Sequence, residues 1–362
     1  MLFRQFVLPC LFAFEAFAVV PDSKTYIITL KPGANIQSHV NERREGFEVK
    51  HVYSAVINGY AAALSPSVLE ALRLSDDVQA IEISYQSRTM IVPTSSTFTQ
   101  LGNARRLFEK KANGGAGVDI YFFDTGINLT KQCFGSRVRW GATFGGYQDI
   151  DGSGHGTALA ASALCAEAGG TATSASGVAV KILSDSGSGT TSSLISGINW
   201  AVQQYQSTNR PSIGALALGG PASVSLDNAV AAAVNAGLHM VVTAGKFVWA
   251  SISPARVAGA VTVGSIPRSK VRPTNSNYGA GLDVWSFYPI ACPTDIPNCN
   301  TPTGSVSYVA AYMAVAIGSY GNKAPAGMSA WSSSRMSSMS PQAPRGLDLD
   351  FILLQVLIGL GF

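Results

Sequence analysis

Two side chains of the kind that move protons stand at well-defined places in this chain. Asp124 closes the apolar run of residues 118–123 and is followed by Thr125-Gly126. His155 lies within Asp151-Gly152-Ser153-Gly154-His155-Gly156-Thr157, directly before Ala158-Leu159-Ala160-Ala161-Ser162-Ala163. A carboxylate that orients an imidazole, and an imidazole that takes the proton of a hydroxyl, form the apparatus of acyl transfer by a nucleophilic side chain. Each residue alone has a plainer reading. An aspartate after a strand is a common turn residue, and Asp-Thr-Gly is also the tripeptide of the aspartic proteases. A histidine at a helix start is often simply solvated.

Such chemistry needs a scaffold. Short runs at 118–123, 178–183, 213–218, 238–243 and 260–264 are almost continuously apolar, which predicts strands of a parallel sheet covered on both faces. Residues 190–205 set Leu194, Ile195, Ile198, Ala201, Val202 and Tyr205 at helical spacing. Residues 223–236 do the same with Leu226, Ala229, Val230, Ala233 and Val234. These stripes are core packing. Their alternation with strands predicts an α/β fold, a doubly wound parallel sheet with helices on both faces. In such sheets reactive groups gather at the carboxyl ends of strands, where Asp124 stands. The small residues after His155 let its helix approach its neighbours closely.

Residues 25–85 form a pattern of their own. A strand at 26–30 leads through Lys31-Pro32-Gly33 into a polar, helical stretch reaching Glu45, then strands at 49–56 and 58–64. Ser65-Pro66 opens a helix through Leu69, Leu72 and Leu74, with serine as cap and proline in the first turn. A strand at 78–84 completes a small α+β, ferredoxin-like β-α-β-β-α-β unit. Residues 86–117 read as a polar linker.

Composition narrows the classes. Charged residues are only 13% of the chain and the net charge is +4, with no long basic run, so nucleic acid is not an implied partner. The first residues read as a signal peptide: Arg4, an apolar core at 6–14, and Ala16-Phe17-Ala18 as the cleavage pattern, which predicts secretion. Cys10 leaves with it. Cys133, Cys165, Cys292 and Cys299 remain, an even number in an oxidising compartment. Cys292 and Cys299 bracket a Pro-rich loop and are expected to pair, leaving Cys133 with Cys165, although four cysteines allow three connectivities. Residues 351–362 form an apolar run too short to span a bilayer as a helix. A lipid-anchor signal, a buried terminal segment and a gene-model error all account for that tail, so a membrane enters only in the first case.

The Asp and His motifs together resemble those of the subtilisin-like serine proteases, with the proteinase K branch the nearest resemblance. Four further segments carry it across 25–320: Gly177-Val178-Ala179-Val180-Lys181-Ile182-Leu183 with Gly187-Ser188-Gly189-Thr190, then Ala217-Leu218-Gly219-Gly220, Ser253-Pro254-Ala255-Arg256 with Val261-Thr262-Val263-Gly264, and Asn277-Tyr278-Gly279 with Leu282-Asp283-Val284. The resemblance implies a signal peptide (1–18), an inhibitory propeptide with linker (19–91), a peptidase domain (92–340) and an apolar tail (341–362). It also implies a groove for an extended peptide between Gly187, Ser188, Gly189 and Ala217, Leu218, Gly219, with the propeptide as intramolecular inhibitor. Calcium is a cofactor the family allows, but no compact acidic loop identifies a metal site.

The chain departs from the family at three places. Ala158 replaces a second histidine that is not part of the triad. Laying Val309-Ala310 on the family's serine motif without a gap puts Thr303 at the serine position, with Tyr308 and Ala311 replacing histidine and glycine. Two helical positions turn a side chain by roughly 200°, which directs Ser305 away from His155. Thr243-Ala244-Gly245-Lys246 matches a stretch whose asparagine donates to the oxyanion, and Lys246 stands there instead. Three readings follow: a pseudoprotease that retains its groove, an active secreted endopeptidase, and a gene-model error at the serine motif.

Overall fold

The computed structural model describes residues 24–42, 44–89, 113–245, 252–267, 277, 281–288 and 304–325. The predicted signal peptide, Lys246, the Cys292–Cys299 pair, Thr303 and the apolar tail all lie outside the described residues.

The N-terminal unit has the predicted order: β1 (Lys24–Leu30), α1 (Ile36–Val40), β2 (Phe47–Tyr53), β3 (Gly59–Leu64), α2 (Pro66–Arg73) and β4 (Val78–Ile83). Its antiparallel sheet runs β2-β3-β1-β4. Strand alternation explains why its central strands are buried on both faces. Ile28, Leu30, Tyr60, Ala62 and Leu64 pack on Val68, Leu69 and Leu72 of α2. Ile27, Ala61 and Tyr53 point the other way and join the core of the large domain. Helix α2 starts where Ser65 Oγ accepts the Val68 amide, with Pro66 in the first turn. Helix α1 is shorter than expected. It ends at Val40, and the polar stretch beyond has no apolar face to bury.

The large domain is built on seven parallel strands: β6 (Asp119–Asp124), β7 (Val138–Thr143), β8 (Ser176–Lys181), β10 (Ser212–Leu216), β12 (His239–Thr243), β14 (Val261–Pro267) and β15 (Val284–Tyr288). They form one sheet in the order β15-β14-β12-β10-β6-β8-β7. Strand β6 shows how the sheet is covered. Ile120 and Phe122 pack with α3 (His155–Leu164) and α6 (Gly304–Tyr320) on one face. Tyr121 and Phe123 pack with α4 (Thr191–Thr208) and α5 (Val224–Asn235) on the other. Burying side chains of this size contributes about 1.5–3 kcal/mol each. Strand β7 is not among the predicted runs, because Val138-Arg139-Trp140-Gly141-Ala142-Thr143 is an edge strand that is only partly buried. Strand β15 likewise falls outside them.

A second correction concerns the linker. Its first residues are a strand, β5 (Gln86–Thr89), which pairs antiparallel with β9 (Ser188–Thr190) and with β11 (Leu218–Pro221). With β13 (Ile252–Ser253) added, the sheet order is β13-β11-β5-β9. Gln86-Ser87-Arg88-Thr89 lacks the apolar run that marks a strand, because its ladder is made by backbone groups of two outside edges.

Candidate active site

Asp124 ends β6 and His155 begins α3, and the fold brings them together. His155 Nδ1 lies 2.8 Å from Asp124 Oδ1, which also accepts the Thr125 amide. Both side chains are buried, at 0% exposure for Asp124 and 2% for His155. Burial opposes the imidazolium most strongly. The Asp124 charge, its hydrogen bond and the Asp151 charge outweigh that and raise the His155 pKa above its ordinary value.

Asp151 holds the two motifs in register. Helix α3 has no side-chain cap at Gly154, which takes a left-handed conformation. Asp151 supplies the acceptors instead: Oδ1 takes the Gly154 amide at 2.9 Å and the Thr125 hydroxyl at 2.8 Å, while Oδ2 takes the Thr157 amide at 2.9 Å and the Thr157 hydroxyl. Thr125 Oγ1 then accepts the Gly156 amide, and Thr157 Oγ1 the Asn128 amide. One carboxylate thus satisfies the helix start and locks it onto the loop after Asp124. Lys181, 1% exposed, fixes that loop from the other side by donating to the Thr125 carbonyl and to Asp185. Neither Asp151 nor Lys181 is among the residues that the sequence motifs single out for a role. A signal exists for Asp151, an acidic residue just ahead of the start of the helix that His155 begins.

At the other end of α3, Cys165 is bonded to Cys133. Arg137 donates to the carbonyls of Cys133 and Leu164 beside it.

The predicted groove segments lie on either side of β5. Gly189 is opposite Ser87, Ser188 opposite Arg88, and Leu218 and Gly219 opposite Thr89 and Arg88. Gly187 stands in a turn with φ +74°, and its carbonyl accepts the Thr89 amide at 2.9 Å. Ala217 falls between β10 and β11, outside both strands. An extended chain segment therefore already occupies the cleft as an added strand.

The small domain docks on the start and the middle of α4 and on the start of α5. Ser84 Oγ accepts the Ser192 amide, the Tyr85 carbonyl accepts the Thr191 amide, and Asn199 Oδ1 accepts the amides of Ser54 and Ala55. Glu82 takes the amides of Val224 and Ser225 and the Ser223 hydroxyl, a carboxylate at the positive end of α5.

Thr303 and Lys246 lie outside the described residues, and the described part of the serine motif begins with α6. Ser305 is fully buried in the first turn of α6, with Oγ 2.6 Å from Ser265 Oγ on β14. Tyr308 directs its hydroxyl to the Ala168 carbonyl.

With this geometry in place, comparison with known proteins defines the class. Residues 115–349 match the model of the Subtilase family, Peptidase_S8, and residues 25–90 match the Peptidase inhibitor I9 model. The chain belongs to the subtilase family, in its proteinase K branch, and carries an inhibitor-type propeptide domain. It is 36% identical to a subtilisin-like protease of Coccidioides posadasii over 66% of this chain and 53% of that one. It is 33% identical to the subtilase-type proteinase psp3 of Schizosaccharomyces pombe over 74% of this chain and 66% of that one. Alkaline protease 2 of Aspergillus fumigatus is 34% identical over 63% and 51% of the respective chains. The chain thus spans about half the length of most of these curated relatives. A crystal structure of a cold-adapted subtilisin-like serine proteinase superposes with TM-score 0.53 and 27% identity, covering 71% of this chain and 96% of that one.

Proposed function

We propose that this chain is a secreted subtilase homologue that keeps a peptide groove and the Asp124–His155 pair but has lost most of its hydrolytic power. In this reading residues 1–18 direct export, 19–91 are the inhibitory segment, 92–340 the peptidase-type domain and 341–362 a tail. The observation that carries it is the Ser265–Ser305 hydrogen bond. It seats the Ser305 hydroxyl against Ser265 on β14, which favours the gap-free placement of Thr303 at the nucleophile position.

The chemistry follows from those residue types. His155, oriented through Nδ1 by Asp124, is set to accept a proton on its other ring nitrogen. A threonine in place of serine adds a methyl group at the attacking atom and a stiffer χ1, and threonine nucleophiles elsewhere rely on an N-terminal amine as base. Lys246 at the oxyanion position is a hydrated ammonium on a flexible stem, which gives no preorganised donor. Subtilisin itself sets the scale of these losses: about 10²–10³ in turnover when the oxyanion asparagine is removed, and about 10⁶ when the serine is.

The buried Asp124–His155 pair at 2.8 Å favours a second reading, an endopeptidase with residual activity. A serine-directed phosphonylating reagent separates the two. The impaired protein stays unlabelled at Thr303 after prolonged exposure, whereas stoichiometric labelling there supports the active enzyme.

A further inference from the structure

Asn128-Leu129-Thr130 is the single place in the 362 residues where an asparagine stands two positions before a serine or threonine with no proline between them. The loop after Asp124 turns outward at this point. Thr125, Gly126 and Ile127 are buried, whereas Asn128, Leu129 and Thr130 are exposed. The backbone amide of Asn128 donates to Thr157 Oγ1 at 2.8 Å, which ties the tripeptide to the start of α3. Its side chain takes no part in the Asp151 network.

That side chain bonds instead within its own tripeptide. Asn128 Oδ1 accepts the Thr130 amide at 3.0 Å and the Thr130 hydroxyl at 2.7 Å. A backbone N–H can only donate, so the atom facing Thr130 is the carboxamide oxygen, and Nδ2 is left on the other side. No hydrogen bond among the described residues holds Nδ2. The turn alone does not call for asparagine, because aspartate makes the same Asx turn through its carboxylate. What aspartate lacks is the nitrogen. Asparagine, any residue but proline, then serine or threonine is the acceptor pattern for an N-linked oligosaccharide, and it belongs on a surface loop of an exported chain. The exposure of 128–130 meets the first condition. The Cys133–Cys165 disulfide, which begins just beyond Thr130, fits the oxidising compartment that the second implies.

We propose that Asn128 is a modification site that carries an N-linked oligosaccharide on the loop bearing Asp124. The co-reactant is a lipid-linked oligosaccharide diphosphate. Asn128 Nδ2 forms a bond to C1 of its terminal N-acetylglucosamine, and the bond from C1 to the diphosphate oxygen breaks. The lipid diphosphate leaves with the bonding electrons and the amide gives up one proton, so nothing is oxidised or reduced. The proposal rests on the reading of residues 1–18 as an export signal.

The test is site mapping by mass spectrometry on the full chain made in a eukaryotic secretory host. One form keeps residues 1–18, and a second has them replaced by an export signal of the host. Secreted and cell-retained chains are both treated with peptide N-glycosidase, which releases the sugar and converts the linked asparagine to aspartate. A mass gain removed by the enzyme, with the conversion at Asn128, is the expected result. The gain should vanish in Asn128→Gln and in Thr130→Ala, and persist in Thr130→Ser, which keeps the hydroxyl. An unmodified Asn128 in the form carrying the host signal overturns the proposal, as does a mass gain that survives Asn128→Gln. Should a variant fold poorly, the map of the unaltered chain decides alone. Modification only in the form with the host signal is a different result: the export reading fails and the site stands.

Discussion

Gly156 stands so close to Gly126 that no side chain fits between them. A β-carbon on Gly156 would lie 2.1 Å from the Gly126 carbonyl oxygen and 3.2 Å from the β-carbon of Asp124. The neighbour that would have to yield is backbone, in the loop that carries Asp124. Gly156→Ala therefore moves the helix bearing His155 away from that loop. The expected cost is about 1–3 kcal/mol or more, as for other overpacked sites. Denaturant unfolding measures it. The downfield imidazole proton shared by His155 and Asp124 should weaken or vanish in the NMR spectrum of the variant.

The His155 titration gives a second prediction. Its folded pKa is raised above the unfolded value near 6.5, because Asp124 and Asp151 outweigh the opposing effect of burial. The sign follows from linkage. A raised histidine pKa adds stability that is fully present below about pH 6.5 and is lost as pH rises through the folded pKa. Asp151→Asn removes one of the raising charges, so the imidazole should titrate at lower pH than in the unaltered protein. The variant should also lose about 1 kcal/mol of helix-start stabilisation. An unchanged midpoint in an NMR pH titration would refute the electrostatic part.

These two cases mark where the sequence is legible. Apolar runs and helical stripes suffice for the central strands and for α4 and α5, because burial on two faces writes itself into composition. Asp124 and His155 are readable because each ends or begins such an element. The Asp151 network is legible only in part: its charge ahead of α3 can be read, but the bond from the Thr125 hydroxyl that ties the two motifs together forms only once two distant loops meet. Strand β5 is hidden for a related reason. Gln86–Thr89 is held through backbone bonds to β9 and β11, and those leave no apolar pattern behind.

Docking of the small domain yields a third prediction. Glu82 accepts the amides of Val224 and Ser225 at the start of α5 and the hydroxyl of Ser223. Glu82→Ala leaves those amides to water and removes a favourable charge from the helix terminus. About 1–2 kcal/mol of docking free energy should be lost. Faster limited proteolysis of residues 24–89, with unaltered resistance of the large domain, is the expected readout.

The disulfide provides a fourth. Cys133–Cys165, with a sequence separation of 32, closes a loop that includes both Asp151 and His155. The chain-entropy stabilisation for a loop of this length is about 3–4 kcal/mol. The Cys133→Ser/Cys165→Ser variant should unfold at correspondingly lower denaturant. Its loss should also fall mainly on α3, so amides of residues 155–164 should exchange faster than those of α4.

On the function proposed above, the Asp124–His155 pair survives in a site whose nucleophile and oxyanion donor are altered. Turnover of a general peptide substrate by the purified protein, free of the small domain, tests this most directly. Four variants accompany it: Thr303→Ser, Lys246→Asn, the two combined, and His155→Ala. No burst and no turnover are expected for the unaltered protein, and little recovery in either of the first two variants. Recovery should be clearly greater when both changes are combined, because the two groups act on one transition state. Measurable cleavage by the unaltered protein, abolished by His155→Ala, would contradict the proposed function and establish a threonine-dependent subtilase instead.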